Sequence, residues 1–172
     1  MTSTVGRIPM ARAVPLAVLV VSVAALATAY LAETVFGLEP CALCLYQRIP
    51  YGIAALLAAA ALLVARRAGA RAGLVALCAA VFLAGAGLAF YHVGVERHWW
   101  GSIAACGEGD ALTLSLDELK ARLSGETPTR KPCDRVDWTL FGVSLAGYNV
   151  MLSSVLGLAC WAAAGRIGRG GR

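Results

Sequence analysis

Residues 13–32 read AVPLAVLVVSVAALATAYLA, a run that contains no Asp, Glu, Lys or Arg. A helix needs about 20 apolar residues to cross the hydrocarbon of a bilayer, so this run predicts a transmembrane helix. Three more stretches of the chain lack charged residues in the same way, at 49–65, 72–95 and 138–165. We therefore predict four spans, at about 13–32, 47–65, 72–94 and 143–164.

The composition of the 172-residue chain also indicates a membrane protein. Hydrophobic residues make up 59% of the chain and charged residues 15%, with a mean hydropathy of +0.72. Soluble domains average about 45–50% apolar and about 25% charged residues. A chain of this length is expected to form one domain, here residues 1–172. The predicted fold is an all-α membrane protein, a four-transmembrane-helix bundle.

The two long connections between spans are predicted at about 33–46 and 95–142, on the same side of the membrane. The second is expected to carry a short amphipathic helix, because SLDE at 115–118 is a capping box and leucines follow on one face at 116, 119 and 123. Such a helix either lies flat on the membrane surface or forms part of a solvated loop.

The distribution of arginine predicts the orientation. The two termini and the connection between the second and third spans hold Arg7, Arg12, Arg66, Arg67, Arg71, Arg166, Arg169 and Arg172 but no acid. Because an excess of Lys and Arg marks the cytoplasmic side, both termini are predicted to be cytoplasmic. A cleaved signal peptide ending at ATA, 27–29, is an alternative for the first run, but its length favours a retained anchor.

The predicted topology divides the six cysteines into two groups. Cys41, Cys44, Cys106 and Cys133 fall on the outer side, where disulfides persist, and Cys78 and Cys160 fall inside spans. Cys41 and Cys44 form a C-x-x-C pair where the second span begins, and a thiol near a helix start is a better attacking or leaving group. Arg48 follows Cys44 by one helical turn, so its charge favours a thiolate there.

Other interpretations of these cysteines remain open. Four thiolates are a common zinc ligand set, but the second pair is split widely, so no metal site is expected. Two structural disulfides would instead bracket the outer loops of a non-catalytic membrane assembly subunit. Cys78 and Cys160 are expected to be small apolar packing residues. A haem carrier is disfavoured, because His92 and His98 are the only histidines and lie six residues apart.

Three stretches resemble the disulfide bond formation protein B (DsbB) family, over about residues 14 to 164. They are PCALCLYQR at 40–48, YHVGVE at 91–96 followed by two tryptophans, and CDRVDW at 133–138 followed by LFGVS at 140–144. The resemblance implies a multi-pass protein of the bacterial inner membrane that reoxidises a periplasmic DsbA-like thiol oxidase and reduces ubiquinone or menaquinone.

The resemblance also implies a role for each site residue. Cys106 would form the mixed disulfide with the partner, Cys133 would then attack Cys41, and Cys44 would be the thiolate that faces the quinone. Arg48, His92 and Glu96 are the expected quinone-binding residues. His92 and Glu96 are one helical turn apart and able to share a proton, although a solvated Glu96 is the simpler expectation.

Overall fold

The computed structural model describes residues 10–64, 68–102, 133–136 and 138–170. In this part of the chain there are five α-helices and one short β-hairpin. The helices are α1 (Met10–Phe36), α2 (Ala42–Tyr46), α3 (Arg48–Leu63), α4 (Ala68–Glu96) and α5 (Leu145–Gly170), and the hairpin strands are β1 (Thr139–Leu140) and β2 (Val143–Ser144). Cys106 and the predicted amphipathic helix at 115–123 lie outside the described residues.

Four helical segments are long and apolar enough to cross a membrane: α1, α2 with α3 (Ala42–Leu63), α4 and α5. The prediction of a four-helix membrane bundle is confirmed. Helices α1 and α4, with 27 and 29 residues, are longer than the charge-free runs that predict them, because they continue into neighbouring segments that carry charged residues. At the start of α4, for example, Arg71 is buried and donates hydrogen bonds to the carbonyl oxygens of Ala61 and Val64 at the end of α3. This cation therefore caps the preceding helix.

The bundle is held together by close packing of small residues. α4 packs along α5 and α3, and α1 packs mainly on α3. A Cβ added to Gly85 of α4 would lie 3.0 Å from Pro50 of α3, and one added to Gly157 of α5 would lie 2.8 Å from Leu83. Such glycines let helix backbones approach closely in lipid, where packing replaces the hydrophobic drive.

A sharp reversal after α1 brings the C-x-x-C segment to the top of the bundle. Gly37 has φ +64°, a conformation that costs glycine little, and the N–H of Leu38 donates to the carbonyl of Ala32. The chain then enters α2 at Cys41. Helix α2 ends at Tyr46 because Pro50 has no N–H to donate to the Tyr46 carbonyl and its ring crowds that oxygen. Helix α3 resumes at Arg48.

The β-hairpin leads into α5. Phe141 and Gly142 at its tip both have positive φ, as a two-residue type I′ turn requires. The strands pair Thr139 with Ser144 and Leu140 with Val143. The hairpin therefore fixes Ser144 and the start of α5 beside the C-terminal end of α4.

Candidate active site

Three of the four predicted redox cysteines lie together at the end of the bundle where α1 and α4 finish and α5 begins. The Sγ atoms of Cys41 and Cys44 are 2.9 Å apart, and the thiols of Cys41 and Cys133 are also hydrogen-bonded. Cys41 and Cys133 are buried, with 5% and 1% of their surfaces exposed, and Cys44 is half-buried. All five described cysteines are free thiols. This structure thus represents a reduced form of the site.

Helix α2 places the sulfur of Cys41 at a helix N-terminus. Cys41 is the N-cap residue, and its Sγ accepts a hydrogen bond from the backbone N–H of Cys44 at 3.2 Å. A backbone donor and the positive end of a helix both favour negative charge on sulfur. Cys41 is therefore held where it can act as a leaving group in disulfide exchange.

The bond between Cys41 and Cys133 moves the two pKa values in opposite directions. The Cys133 pKa falls from 9.0 to about 6, chiefly because Cys41 donates a hydrogen bond to its sulfur. The same bond raises the pKa of Cys41, because its proton is held between the two sulfurs. Cys133 is consequently the thiolate of this pair near neutral pH, and it points at the sulfur it is expected to attack.

His92 of α4 joins the sulfur cluster from the other side. Its Nε2 lies 3.6 Å from Cys41 Sγ, and its Nδ1 lies 2.7 Å from the side-chain Nε2 of Gln47. Because the Gln47 amide donates to Nδ1, the imidazole carries its hydrogen on Nε2, the nitrogen that faces Cys41. The predicted site histidine is thus buried and oriented by a neighbouring amide.

A chain of polar side chains continues from Gln47 into the bundle. Asn149 of α5 donates from Nδ2 to Gln47 Oε1 at 2.6 Å, and the Tyr51 hydroxyl donates to Asn149 Oδ1 at 2.6 Å. Ser153 contacts both Tyr51 and Asn149. We name this set, Gln47, Tyr51, Asn149 and Ser153, the polar chain. No sequence motif predicts the polar chain as a unit, although polar residues at 149 and 153 in an apolar span are a recognisable signal.

Glu96 differs from the simpler expectation. Its side chain is only 8% exposed, so the expectation of a solvated carboxylate is wrong. The physical reason is the hairpin: Ser144 lies over the end of α4 and donates its hydroxyl hydrogen to Glu96 Oε2. The other carboxylate oxygen is 3.9 Å from His92 Nε2. Glu96 is therefore part of the buried site, next to the imidazole.

Arg48 has a partner that the sequence did not predict. Its guanidinium forms an ion pair with Glu33 near the end of α1 and lies 5.2 Å from the centre of the Tyr30 ring. Arg48 and Cys44 nevertheless line the same cavity, as the one-turn spacing suggested. The ion pair ties α1 to the start of α3 at this end of the bundle.

A cavity of about 440 Å³ lies beside the sulfur cluster. Its walls come mainly from apolar residues of α1 and α5, and its polar wall includes Cys41, Cys44, Arg48, His92 and Glu96. This volume lies in the range of small-molecule sites, which are mostly apolar with a few convergent polar groups. All three predicted quinone-binding residues therefore border one ligand-sized space together with the C-x-x-C pair.

The described residues also contain one cluster able to hold a metal ion. The Sγ atoms of Cys41 and Cys44 and an imidazole nitrogen of His92 all lie within 4.8 Å of one another. Thiolate and imidazole are the ligands that zinc prefers in proteins.

Comparison with known proteins gives one consistent family. A model described as "Disulfide bond formation protein DsbB" matches residues 11–163. Proteins named disulfide bond formation protein B from Methylobacillus flagellatus and Methylococcus capsulatus are 32% and 36% identical, over 72% and 71% of this chain and 74% and 73% of theirs. An uncharacterised protein of Rickettsia prowazekii is 29% identical over 82% of this chain and 80% of its own.

No solved structure is significantly similar to the chain. The family match spans all four membrane helices and the described cysteines of the site. The chain is a multi-pass membrane protein of disulfide bond formation, and it belongs to the DsbB family.

Proposed function

We propose that this protein is a thiol oxidase of the bacterial inner membrane that reoxidises a periplasmic DsbA-like dithiol oxidase. Its electrons would pass to a membrane quinone, either ubiquinone or menaquinone. One observation carries the proposal: Cys41 and Cys44 line a largely apolar cavity of about 440 Å³ together with Arg48 and His92, and Cys133 is hydrogen-bonded to Cys41. Thiols beside such a cavity suit an apolar two-electron acceptor dissolved in lipid.

The energetics of the partner favour an acceptor of this kind. A DsbA-type dithiol has a reduction potential of about −120 mV, and about 30 mV corresponds to 1.4 kcal/mol for a two-electron couple. Few protein disulfides are oxidising enough to accept electrons from such a dithiol. A bound quinone would supply such an acceptor, because it takes up two electrons and two protons.

The thiol steps balance without any further oxidant. A partner thiolate attacks Cys106 of a Cys106–Cys133 disulfide, forms a mixed disulfide and releases Cys133. Cys133 attacks Cys41 of the Cys41–Cys44 disulfide and releases Cys44. The second partner thiol then frees Cys106, which attacks Cys133 and releases Cys41. The partner is now oxidised, and its two electrons and two protons reside on Cys41 and Cys44.

The geometry of the described residues supports the internal step. Cys133 lies within hydrogen-bonding distance of Cys41, and its pKa of about 6 provides the attacking thiolate at neutral pH. The N-cap position of Cys41 stabilises negative charge when that sulfur departs. Arg48 and the Nε2–H of His92 are two groups in the cavity wall suited to hold an oxygen atom that becomes negative.

The proposed orientation follows from the ends of the helices. The C-x-x-C segment and Cys133 lie at the end where α1 and α4 finish and α5 begins. The arginine-rich segments lie at the opposite ends of these helices, which by the positive-inside rule are cytoplasmic. The site would then face the periplasm, where a DsbA-like partner works.

A quinone-reduction assay tests the proposal. The purified protein in lipid nanodiscs is mixed anaerobically with a reduced DsbA-like protein and short-chain ubiquinone or menaquinone, and quinone absorbance is followed. We expect one quinone to be reduced per partner dithiol. Arg48→Ala should slow this reduction at least about tenfold, because the guanidinium that would donate to the acceptor oxygen is lost.

The matched control is Arg97→Ala, which removes an exposed arginine just beyond the end of α4. This variant should reduce quinone at the wild-type rate. Arg48→Ala should still accumulate the mixed disulfide when combined with Cys133→Ser. If neither quinone is consumed, the proposal fails, and a non-catalytic assembly subunit with structural disulfides becomes the better interpretation.

A further inference from the structure

We propose that the fully reduced protein binds one thiophilic metal ion of the zinc class between Cys41, Cys44, Cys133 and His92. While bound, this ion would withhold the three thiols from disulfide exchange. The ion would occupy sulfurs that the proposed function also uses, but its binding requires neither a quinone nor a partner protein. Metal binding can therefore be tested independently of quinone reduction.

The distances around Cys41 are close to those of a tetrahedral site. With bonds of about 2.3 Å to sulfur and about 2.0 Å to nitrogen, a tetrahedral zinc ion separates sulfur from nitrogen by about 3.5 Å and two sulfurs by about 3.8 Å. Cys41 Sγ and His92 Nε2 are already 3.6 Å apart. The Sγ atoms of Cys41 and Cys44 are 2.9 Å apart and must separate by about 1 Å. Cys44 has the space for this movement because it borders the cavity.

Cys133 is the fourth ligand. Its sulfur lies outside the group of ligand atoms of Cys41, Cys44 and His92 that are all within 4.8 Å of one another, so it must move toward the ion when the ion binds. Its thiol is hydrogen-bonded to Cys41, and only 1% of its surface is exposed. The thiolate is the form that binds metal. Three cysteines and one histidine are a common zinc ligand set, unlike the widely split four-cysteine arrangement that the sequence alone offered.

The surroundings of His92 suit a metal ligand. A ligating histidine donates its second ring N–H to an acceptor, which fixes the orientation of the ring. Gln47 already contacts Nδ1 of His92 at 2.7 Å, and half a turn of its amide would present Oε1 as that acceptor. Asn149 can turn in the same way, because each amide carries both donors and an acceptor. The polar chain thus remains hydrogen-bonded with either orientation.

The redox state decides whether this site exists. A Cys41–Cys44 disulfide leaves neither sulfur as a thiolate, so the oxidised protein has lost two of the four ligands. The ligand set also selects the type of ion. Thiolate and imidazole bind zinc and similar ions, whereas magnesium and calcium require oxygen ligands. Because binding displaces thiol protons, the affinity should fall as the pH is lowered.

Cobalt(II) spectroscopy tests the site directly. Cobalt is added anaerobically to the reduced protein, and we expect one equivalent to give intense tetrahedral d–d bands and a thiolate-to-cobalt charge-transfer band. Zinc should displace this signal, and oxidised protein should not develop it. His92→Ala should weaken cobalt binding at least about tenfold while keeping the charge-transfer band, because three sulfurs remain.

Variants of the other cysteines provide matched controls. Cys41→Ser should abolish the tetrahedral signal, whereas Cys78→Ala with Cys160→Ala, and separately Cys106→Ser, should leave it unchanged. One equivalent of zinc should also slow the reaction of three thiols with a small aromatic disulfide at least about tenfold, and a chelator should restore it. Circular dichroism checks that the Cys41→Ser variant remains folded. The Cys133→Ser variant gives a second test, because it should reduce the intensity of the charge-transfer band.

The proposal is overturned if reduced protein gives no tetrahedral signal, if Cys41→Ser retains it, or if the Cys106→Ser variant loses it. Unchanged thiol reactivity with zinc bound would overturn the protective role. None of these measurements contains quinone or partner protein, so a negative result here leaves the proposed oxidase function untouched. Conversely, an inactive oxidase that still gives the cobalt spectrum would contradict only the oxidase function.

Discussion

The protein carries two groups of buried cysteines, and comparison of the two shows what makes a thiol reactive. Cys78 and Cys160, in the middle of the bundle, are 1% and 2% exposed, and Cys41 and Cys133, at its outer end, are 5% and 1% exposed. Burial therefore does not distinguish the groups. What differs is the surroundings of each sulfur.

The inner thiols lie in a cluster of apolar side chains, where the Cys78 thiol has a long contact of 3.8 Å to the Ala54 carbonyl. The outer thiols contact one another, a backbone N–H and an imidazole. Groups that stabilise a thiolate are thus present only around the outer described cysteines. Neighbouring donors, more than exposure, separate reactive cysteines from structural ones here.

The largest expected effect is the difference between removing one of the site cysteines and removing one of the cysteines in the apolar cluster. Cys41→Ala should reduce oxidation of a dithiol partner at least about a hundredfold, because no other group can replace the exchanged sulfur. Cys78→Ala, the matched change in the apolar cluster, should leave the rate within about twofold. Oxidation rates and thermal unfolding midpoints are measured for both. An inactive Cys78→Ala that unfolds at the wild-type temperature would break the comparison.

The second effect is the pH range in which Cys133 is a thiolate. Since hydrogen bonding to Cys41 lowers the Cys133 pKa to about 6, the thiolate should persist at neutral pH and decrease about tenfold per unit well below pH 6. The difference in thiolate ultraviolet absorbance between wild-type and Cys133→Ala proteins, both reduced, reports this titration. In Cys41→Ala the midpoint should rise toward the ordinary value of 9.0. A midpoint that stays near 6 without Cys41 would assign the shift to another group.

The smallest effect is expected from the polar chain that separates the two groups of cysteines. Gln47→Leu removes the amide that orients His92, and we expect quinone reduction to slow about three- to tenfold, with a stability loss of about 1 kcal/mol. Ser153→Ala, at the far end of the polar chain, is the control and should preserve the rate. Quinone reduction and thermal unfolding are compared for both variants. Equal rate losses would show that the polar chain acts through stability alone.

The sequence predicts the bundle well because hydrocarbon imposes a simple rule. Long apolar runs without charged residues are predicted to cross the membrane. The four runs in this chain correspond to the four helical segments that are long and apolar enough to do so. The predicted spans do not include the break between α2 and α3, although its cause, Pro50, lies four residues after Tyr46 in the sequence. The full extent of α1 does not follow from the charge-free run either, because residues beyond that run, such as Glu33, remain helical.

The site was only partly predictable, because spacing along one helix does not fix how different helices face one another. The C-x-x-C pair and Cys133 follow from local motifs and topology. The polar chain requires the relative rotation of α3, α4 and α5, which no single segment encodes. The burial of Glu96 depends on the hairpin that places Ser144 above it. Contacts between residues this far apart in the sequence can be identified only from the three-dimensional structure.

The ion pair between Arg48 and Glu33 has a consequence for which molecules enter the cavity. Together these two side chains contribute no net charge to its wall, although the guanidinium keeps its hydrogen-bonding capacity. A charged oxidant would have to give up its hydration and either break this pair or remain uncompensated in a medium of low dielectric constant. The part of the wall that Arg48 and Glu33 form therefore favours uncharged, lipid-soluble molecules over charged ones.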